Sequence, residues 1–220
     1  MPNLIFKGLL FFHFCAFLFV FDQSIYAHSW SLSKESDGVR AYTRKVDNSN
    51  FKEYKVEMEL EATLTSIVAV LMSVQDLPQW VDRTAEASVL KDMGPTESIT
   101  RVVSLSPFPL KNRETISYGK LRQDATSKIV TLTSEGRPDF LPADARYERV
   151  KYLRSQWILT PKTNGKIEVI MIGHADPGGI IPAVLANQFV VMIPFNTVKN
   201  LRSQVKKEKY QKIKLKYIKD

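Results

Sequence analysis

Residues 51–62, FKEYKVEMELEA, alternate between apolar and charged positions: Tyr54, Val56, Met58 and Leu60 share one face, and Lys55, Glu57, Glu59 and Glu61 share the other. That period of two predicts a strand with one buried face and one wet face. SDGVRAYTRKV, just before it, carries a glycine turn and reads as its hairpin partner. In TLTSIVAVLMSV the period changes. Thr63 suits an N-cap, and Leu64, Ile67, Leu71 and Val74 recur at helical spacing. DLPQWVDR is a short break carrying Trp80. From residue 86 to residue 173 alternation returns in EASVLKDMG, ESITRVVSLS, RETISYGKLRQD, KIVTLTSEG, YERVKYLRSQWILTP and GKIEVIMIGHAD. Turns at Met93-Gly94-Pro95, Glu135-Gly136 and Asn164-Gly165 separate several of these, and Asn-Gly between alternating runs is a strong hairpin signal. Strands joined by short turns predict a meandering antiparallel sheet.

The last element is announced by HADPGGIIPAVLAN, residues 174–187. Asp176-Pro177 disfavours helix, Gly178-Gly179 permits backbone angles other residues avoid, and Pro182 suits a first helical turn. A long helix follows, with Leu185, Phe189, Met192, Phe195, Val198, Leu201 and Val205 at spacings of three and four. Pro194 interrupts its hydrogen-bond ladder and is expected to kink it. A sheet with one dry face needs a cover, and this helix is the element large enough to provide it. Between them lies either solid core or space for an apolar ligand; periodicity is compatible with both.

Residues 1–27 stand apart. Lys7 precedes the apolar run Leu9–Phe21, then DQSIYA and a cleavage point after Ala27, the layout of a signal peptide. The run is shorter than the roughly 20 residues a spanning helix needs. An uncleaved N-terminal anchor is the alternative. The expectation is an exported protein, periplasmic if bacterial and otherwise secreted. Cys15, the one cysteine, lies in this segment, so the mature chain has no thiol or disulfide. Charge is concentrated at the other end: in KKEKYQKIKLKYIKD, residues 206–220, seven lysines face Glu208 and Asp220, giving +5 of the formal +8. We read this as a basic tail, either a solvated terminus or a patch attracted transiently to anionic lipid head groups. No basic stripe, zinc spacing or aromatic ribonucleoprotein motif crosses the body, so no nucleic-acid partner is indicated.

Six segments in order resemble the START domain, the lipid-transfer family related to steroidogenic acute regulatory protein and part of the Bet v 1-like superfamily, in its bacterial form. Trp30-Ser31-Leu32 with DGVRAYTR is similar to the family's opening, FKEYKVEMEL to its third strand, and LPQWVDR to its Trp-bearing segment. SPFPLKNRE, residues 106–114, resembles the family's P-x-P-x-x-x-R-D loop, with Glu114 in place of Asp. DPGGIIPAVLAN resembles the approach to the last helix, with Val184 in place of Trp, and PFNTVKNLR the end of that helix. The likeness runs from Trp30 to about Val205, so residues 28–205 form the expected domain. It implies an α+β helix-grip fold, a curved antiparallel sheet wrapped on a long C-terminal helix, enclosing an apolar tunnel. It also implies binding or transfer of a lipid or hydrophobic small molecule by a monomer, without catalysis or cofactor. The alternative is a helix-grip enzyme of the cyclase or hydrolase type.

On that resemblance Ser104, Thr115, Ser117 and Ser155 are candidates to hydrogen-bond a lipid's polar end. Arg101 and Arg113 are candidates to hold a charged head group, since guanidinium binds phosphate or carboxylate bidentately; for Arg113, pairing with Glu114 or with the loop backbone is the competing reading. Val102, Leu153, Trp157, Leu185, Phe189 and Met192 are expected along the apolar wall. Trp80 and Tyr118 join Trp157 as aromatics for either wall or core. Phe108 and Leu110, in the SPFPL loop, are expected at the entrance as a lid or a shallow membrane insert, or else tucked beneath the loop. No Gly-x-Ser-x-Gly, His-Glu-x-x-His or Gly-rich phosphate motif occurs. His28 and His174 form no metal-ligand cluster, and His174 reads as a structural residue more readily than as a base.

Overall fold

The computed structural model describes residues 28–220; the expected signal segment, with Cys15 and the cleavage point after Ala27, lies outside them. The strands are β1 (Ser31–Ser36), β2 (Val39–Arg44), β3 (Glu53–Leu60), β4 (Thr84–Asp92), β5 (Glu97–Ser104), β6 (Arg113–Gln123), β7 (Val130–Gly136), β8 (Glu148–Arg149), β9 (Tyr152–Pro161) and β10 (Ile167–Asp176). They form one sheet in the order β1-β2-β3-β10-β9-β7-β6-β5-β4, antiparallel throughout, with the short β8 added in parallel beside β6. Helices α1 (Leu64–Met72), α2 (Ala183–Gln204) and α3 (Glu208–Gln211), with a 3-10 helix at Val74–Gln79, complete it.

Register explains why one face is dry. β2 and β3 pair Val39 with Met58 and Ala41 with Val56, and all four are buried, while Arg40 and Glu57 pair on the other face. Thr63 caps α1 as expected: its hydroxyl accepts from the Ser66 N–H at 3.0 Å. The α1 residues Leu64, Ile67, Val68 and Val70 then bury against β3, Trp80, Trp157 and the C-terminal half of α2, whose Phe195, Val198, Leu201 and Val205 are at most 2% exposed. This is the packed core.

At the α2 approach, Gly178 and Gly179 have φ of +68° and +65°. A Cβ at Gly178 would lie 2.6 Å from the Arg149 carbonyl, so glycine is needed both for backbone angle and for close approach. Pro182 is the cap residue of α2, one position before its first turn, and the helix continues unbroken through Pro194.

Two expectations are corrected. YERVKYLRSQWILTP is not one strand: Glu148-Arg149 leans on β6, and β9 starts only at Tyr152. The segment 206–220 is not a free tail. Tyr210 and Ile218 are 2% and 7% exposed, and the Tyr210 hydroxyl donates to Asp76 at 2.6 Å. Lys209 pairs with the same carboxylate at 2.7 Å. Asp220 accepts from the backbone N–H and the hydroxyl of Thr65, both at 2.8 Å, which satisfies an orphan donor in the first turn of α1 with a negative charge. The apolar residues interleaved with the lysines cause this: Tyr210, Leu215 and Ile218 give the segment an inner side, and its lysines stay outside.

Candidate functional site

Away from the packed core, the N-terminal half of α2 stands off the sheet and leaves a half-open cavity of about 290 Å³, near the small end of ligand pockets, which span roughly 300–1,000 Å³. The sheet contributes Tyr54, Ser104, Arg113, Thr115, Leu153, Met171 and Ala175, and the helix contributes Ala186, Phe189, Val190, Ile193, Pro194 and Thr197. Leu105, Ser106, Pro107 and Leu110, between β5 and β6, and Pro177 and Ile181, before α2, close its sides. Pro194 has no N–H for the Val190 carbonyl, and both residues face the cavity.

The wall is apolar except at one end. Tyr54 is strongly protected from ionising: burial raises its pKa well above the usual tyrosine range. Burial also lowers the pKa of the Arg113 guanidinium, against the pull of Glu148. Arg113 is 7% exposed. Its Nη1 donates to Ser106 Oγ at 3.1 Å and to the Lys111 carbonyl at 2.6 Å, while Nε is buried without a partner.

Of the residues picked out from sequence, Ser104, Thr115, Leu153, Phe189 and Leu110 line this cavity. Arg113, weighed above against pairing with Glu114, lines it too. It bonds the loop backbone and makes no ion pair among the described residues. The remaining candidates fall elsewhere for identifiable reasons. Arg101 is on the outer face, because strand parity that turns Val102 and Ser104 inward turns Arg101 out; it donates to Glu86 at 2.9 Å and to Glu114. Val102 shares the inward face but is not part of the cavity wall. Ser117 shares the face of Thr115 yet bonds Thr100 at 3.3 Å beyond the cavity's end. Ser155 sits beside Gly173, and a side chain at Gly173 would collide with the Tyr54 ring, so Tyr54 occupies that level of the concave face.

Trp157 belongs to the core, its ring 6.3 Å from that of Trp80 and tilted by 57°. Tyr118 donates to Glu97 on the outer side. Leu185 and Met192 are displaced around α2 from Ala186 and Ile193 by one residue, about 100° of turn, and Met192 is 38% exposed. Phe108 is 97% exposed at the tip of its loop, so it neither lines the cavity nor tucks under the loop. His174 accepts or donates a hydrogen bond with Ser49 at 3.0 Å and packs on Tyr152. Tyr54, Ala186 and Ile193 were missed. Tyr54 read as one more apolar strand position, and the helix residues lie one place from the stripe that spacing suggested.

Glu114 explains why Arg101 has no free charge. Its carboxylate, 4% exposed, is held between Arg101 and Arg149, with Arg149 Nη2 at 2.7 Å. Arg149 also reaches the carbonyls of Pro138, Leu141 and Pro142, tying the long connection after β7 to the sheet. No group of acidic, histidine or cysteine side chains is placed to hold a metal among the described residues.

With this geometry in view, the comparisons with known proteins agree. The START-domain family model matches residues 25–210. A crystal structure of a STAR-related lipid transfer protein from Xanthomonas axonopodis is 34% identical, covers 81% of this chain and 99% of its own, and superimposes with a TM-score of 0.75. An uncharacterised protein of Pseudomonas aeruginosa is 32% identical over 181 residues, 82% of this chain and 89% of that protein. Human StAR-related lipid transfer protein 5 shares only 15% identity but has the same fold, with a TM-score of 0.70. Family match, antiparallel helix-grip architecture and a cavity beneath the last helix coincide, and the chain belongs to the START domain family.

Proposed function

We propose that this protein binds a lipid or another hydrophobic small molecule in the cavity beneath α2 and exchanges it with a membrane. The observation that carries the reading is the cavity itself: an almost wholly apolar space between sheet and helix, in a domain whose core is otherwise packed. The Xanthomonas relative at 34% identity is a STAR-related lipid transfer protein, which supports the same class of ligand.

Exchange is favoured by the rim. The two segments that close the cavity's sides hold Phe108 at 97% and Ile180 at 95% exposure, and the first turn of α2 beside them adds Val184 at 76%. Apolar side chains presented around an opening suit shallow insertion into a bilayer. The exposed lysines of 206–220 lie after the other end of α2 and offer a separate, salt-screened attraction to anionic lipid. No helix among the described residues is long and apolar enough to cross a membrane.

Binding rather than catalysis is supported by the wall's chemistry. Its titratable groups are Tyr54, whose pKa burial raises further from neutral, and Arg113, whose guanidinium keeps its proton at neutral pH although burial lowers its pKa, so neither is poised to exchange protons there. The reading extends to export, on the strength of the signal-like segment 1–27. Mixing the protein with vesicles carrying a fluorescent acyl lipid, then separating the two, tests it. Wild type is expected to carry label into the protein fraction and Ala175→Phe, which fills the cavity, is expected not to. Equal labelling of both would place the lipid outside the cavity.

A further inference from the structure

Arg113 is the one buried cation facing the cavity among the described residues, and it is only half satisfied. Nη1 is tied to Ser106 and to the Lys111 carbonyl, Nε is buried with no acceptor, and Nη2 donates to nothing among the described residues. Glu114, its neighbour in sequence, faces the opposite side of β6 and is held by Arg101 and Arg149. Glu148 exerts its charge on Arg113 but makes no ion pair with it. Around the guanidinium the sheet register gathers hydroxyls: Ser104 is its cross-strand partner, and Thr115 lies two residues along the same face. Neither hydroxyl, nor that of Tyr54, has a hydrogen-bond partner among the described residues, and all three residues line the cavity.

A guanidinium withdrawn from water without a counter-charge is costly unless something else supplies that charge. From the protein side the fold supplies only the charge of Glu148, which makes no ion pair with the guanidinium. We propose that Arg113 anchors an anionic head group, so that the cavity takes a single-chain amphiphile ending in a carboxylate or a phosphate. This rests on the lipid-binding reading and narrows it. The free Nε and Nη2 form the edge of the guanidinium that donates to two oxygens side by side, and the hydroxyls of Ser104 and Thr115 are placed to bond what remains. The apolar body then runs along Phe189, Ile193 and Met171, and the modest volume favours one chain over two.

Calorimetric titration of wild type with dodecanoate, dodecyl phosphate, dodecanol and inorganic phosphate decides the matter. Both anionic amphiphiles are expected to bind at least about tenfold more tightly than dodecanol. Arg113→Gln should bring both anionic amphiphiles to the affinity of dodecanol, and Arg113→Lys should keep part of the preference. Dodecanol binding wild type as well as the anions do would overturn the head-group assignment and leave lipid binding standing. A preference that survives in Arg113→Gln would overturn it as well. Inorganic phosphate matching dodecyl phosphate would make this a free-anion site and sink the amphiphile. No binding by any chain-bearing probe would remove the lipid reading and this one with it. Because Arg113 also secures its loop, Arg113→Gln is a variant that loses folding readily; in that event the comparison of acid with alcohol on wild type decides alone.

Discussion

Arg101 and Arg113 occupy neighbouring strands, yet the sheet sends them to opposite faces and gives them opposite fates. Arg101 joins Glu86 and Glu114 outside, and Arg113 is left inside with a free edge. In the outer cluster Glu114 holds two arginines at once, so removing it strands charge in a nearly dry site. Glu114→Ala should cost about 3–5 kcal/mol in urea unfolding; a loss within about 0.5 kcal/mol would show that water already screens the cluster. Gly178 is the second position where one side chain decides. Its φ of +68° and the closeness of the Arg149 carbonyl leave no room for a Cβ, so Gly178→Ala should lower the melting temperature and loosen the start of α2. A variant as stable as wild type would mean that the turn has another backbone path.

At the scale of elements, α1 is held at both ends of its connection by the C-terminal segment. Asp76 takes Lys209, Tyr210 and Gln79, and Asp220 caps the first turn. Truncation after Val205 therefore removes two buried side chains, Tyr210 and Ile218, each worth about 1.5–3 kcal/mol, and should destabilise the whole domain. Unchanged urea unfolding after truncation would return the segment to a solvated end. The pKa of Asp76 is held below the usual carboxylate range, chiefly by its bond to Lys209 and then by that to Tyr210. A depressed carboxylate stabilises fully above its unfolded pKa and loses that contribution as pH falls through the folded value. Docking of the segment should thus be complete above about pH 4 and fade below it, seen as loss of dispersion in the amide NMR signals of Tyr210 and Ile218. Dispersion that persists unchanged to the lowest pH at which the sheet survives would remove Asp76 from that role.

The same segment shows what was legible and what was not. Hairpins, the Thr63 cap and the Gly178-Gly179 turn are local, and local chemistry announces them. Whether a lysine-rich stretch docks depends on Asp76 and Thr65, far away in sequence, and nothing near the lysines reports them. The cavity divides the same way. Strand parity puts Leu153 and Thr115 on the inner face, but whether an inner residue meets open space or another side chain is tertiary: Ser155 lies beside Tyr54, and Trp157 against Trp80. On α2 the step from Leu185 to Met192 and that from Ala186 to Ile193 are both seven residues, so spacing alone does not say which pair faces the cavity; the packing of the helix on the sheet selects the second.

For the whole molecule, packing and emptiness are assigned to different halves of α2. Its C-terminal half seals the core and carries stability, while its N-terminal half, with Val184 exposed in its first turn, roofs the cavity behind two segments carrying Phe108 and Ile180. Replacing Phe108 and Ile180 by Ser should therefore slow vesicle-to-vesicle transfer of a fluorescent lipid several-fold with the melting temperature unchanged. Transfer at the wild-type rate would take the rim out of membrane contact. Filling the cavity with Ala175→Phe should leave a folded protein, since overpacking costs about 1–3 kcal/mol only where no room exists. Native mass spectrometry of wild type and Ala175→Phe, purified side by side from the same cells, tests the central claim most directly. Wild type should carry one hydrophobic molecule per chain, extractable into organic solvent, and Ala175→Phe should fly bare. Bare wild type after exposure to lipid, or the same adduct on both proteins, would contradict a ligand held beneath α2.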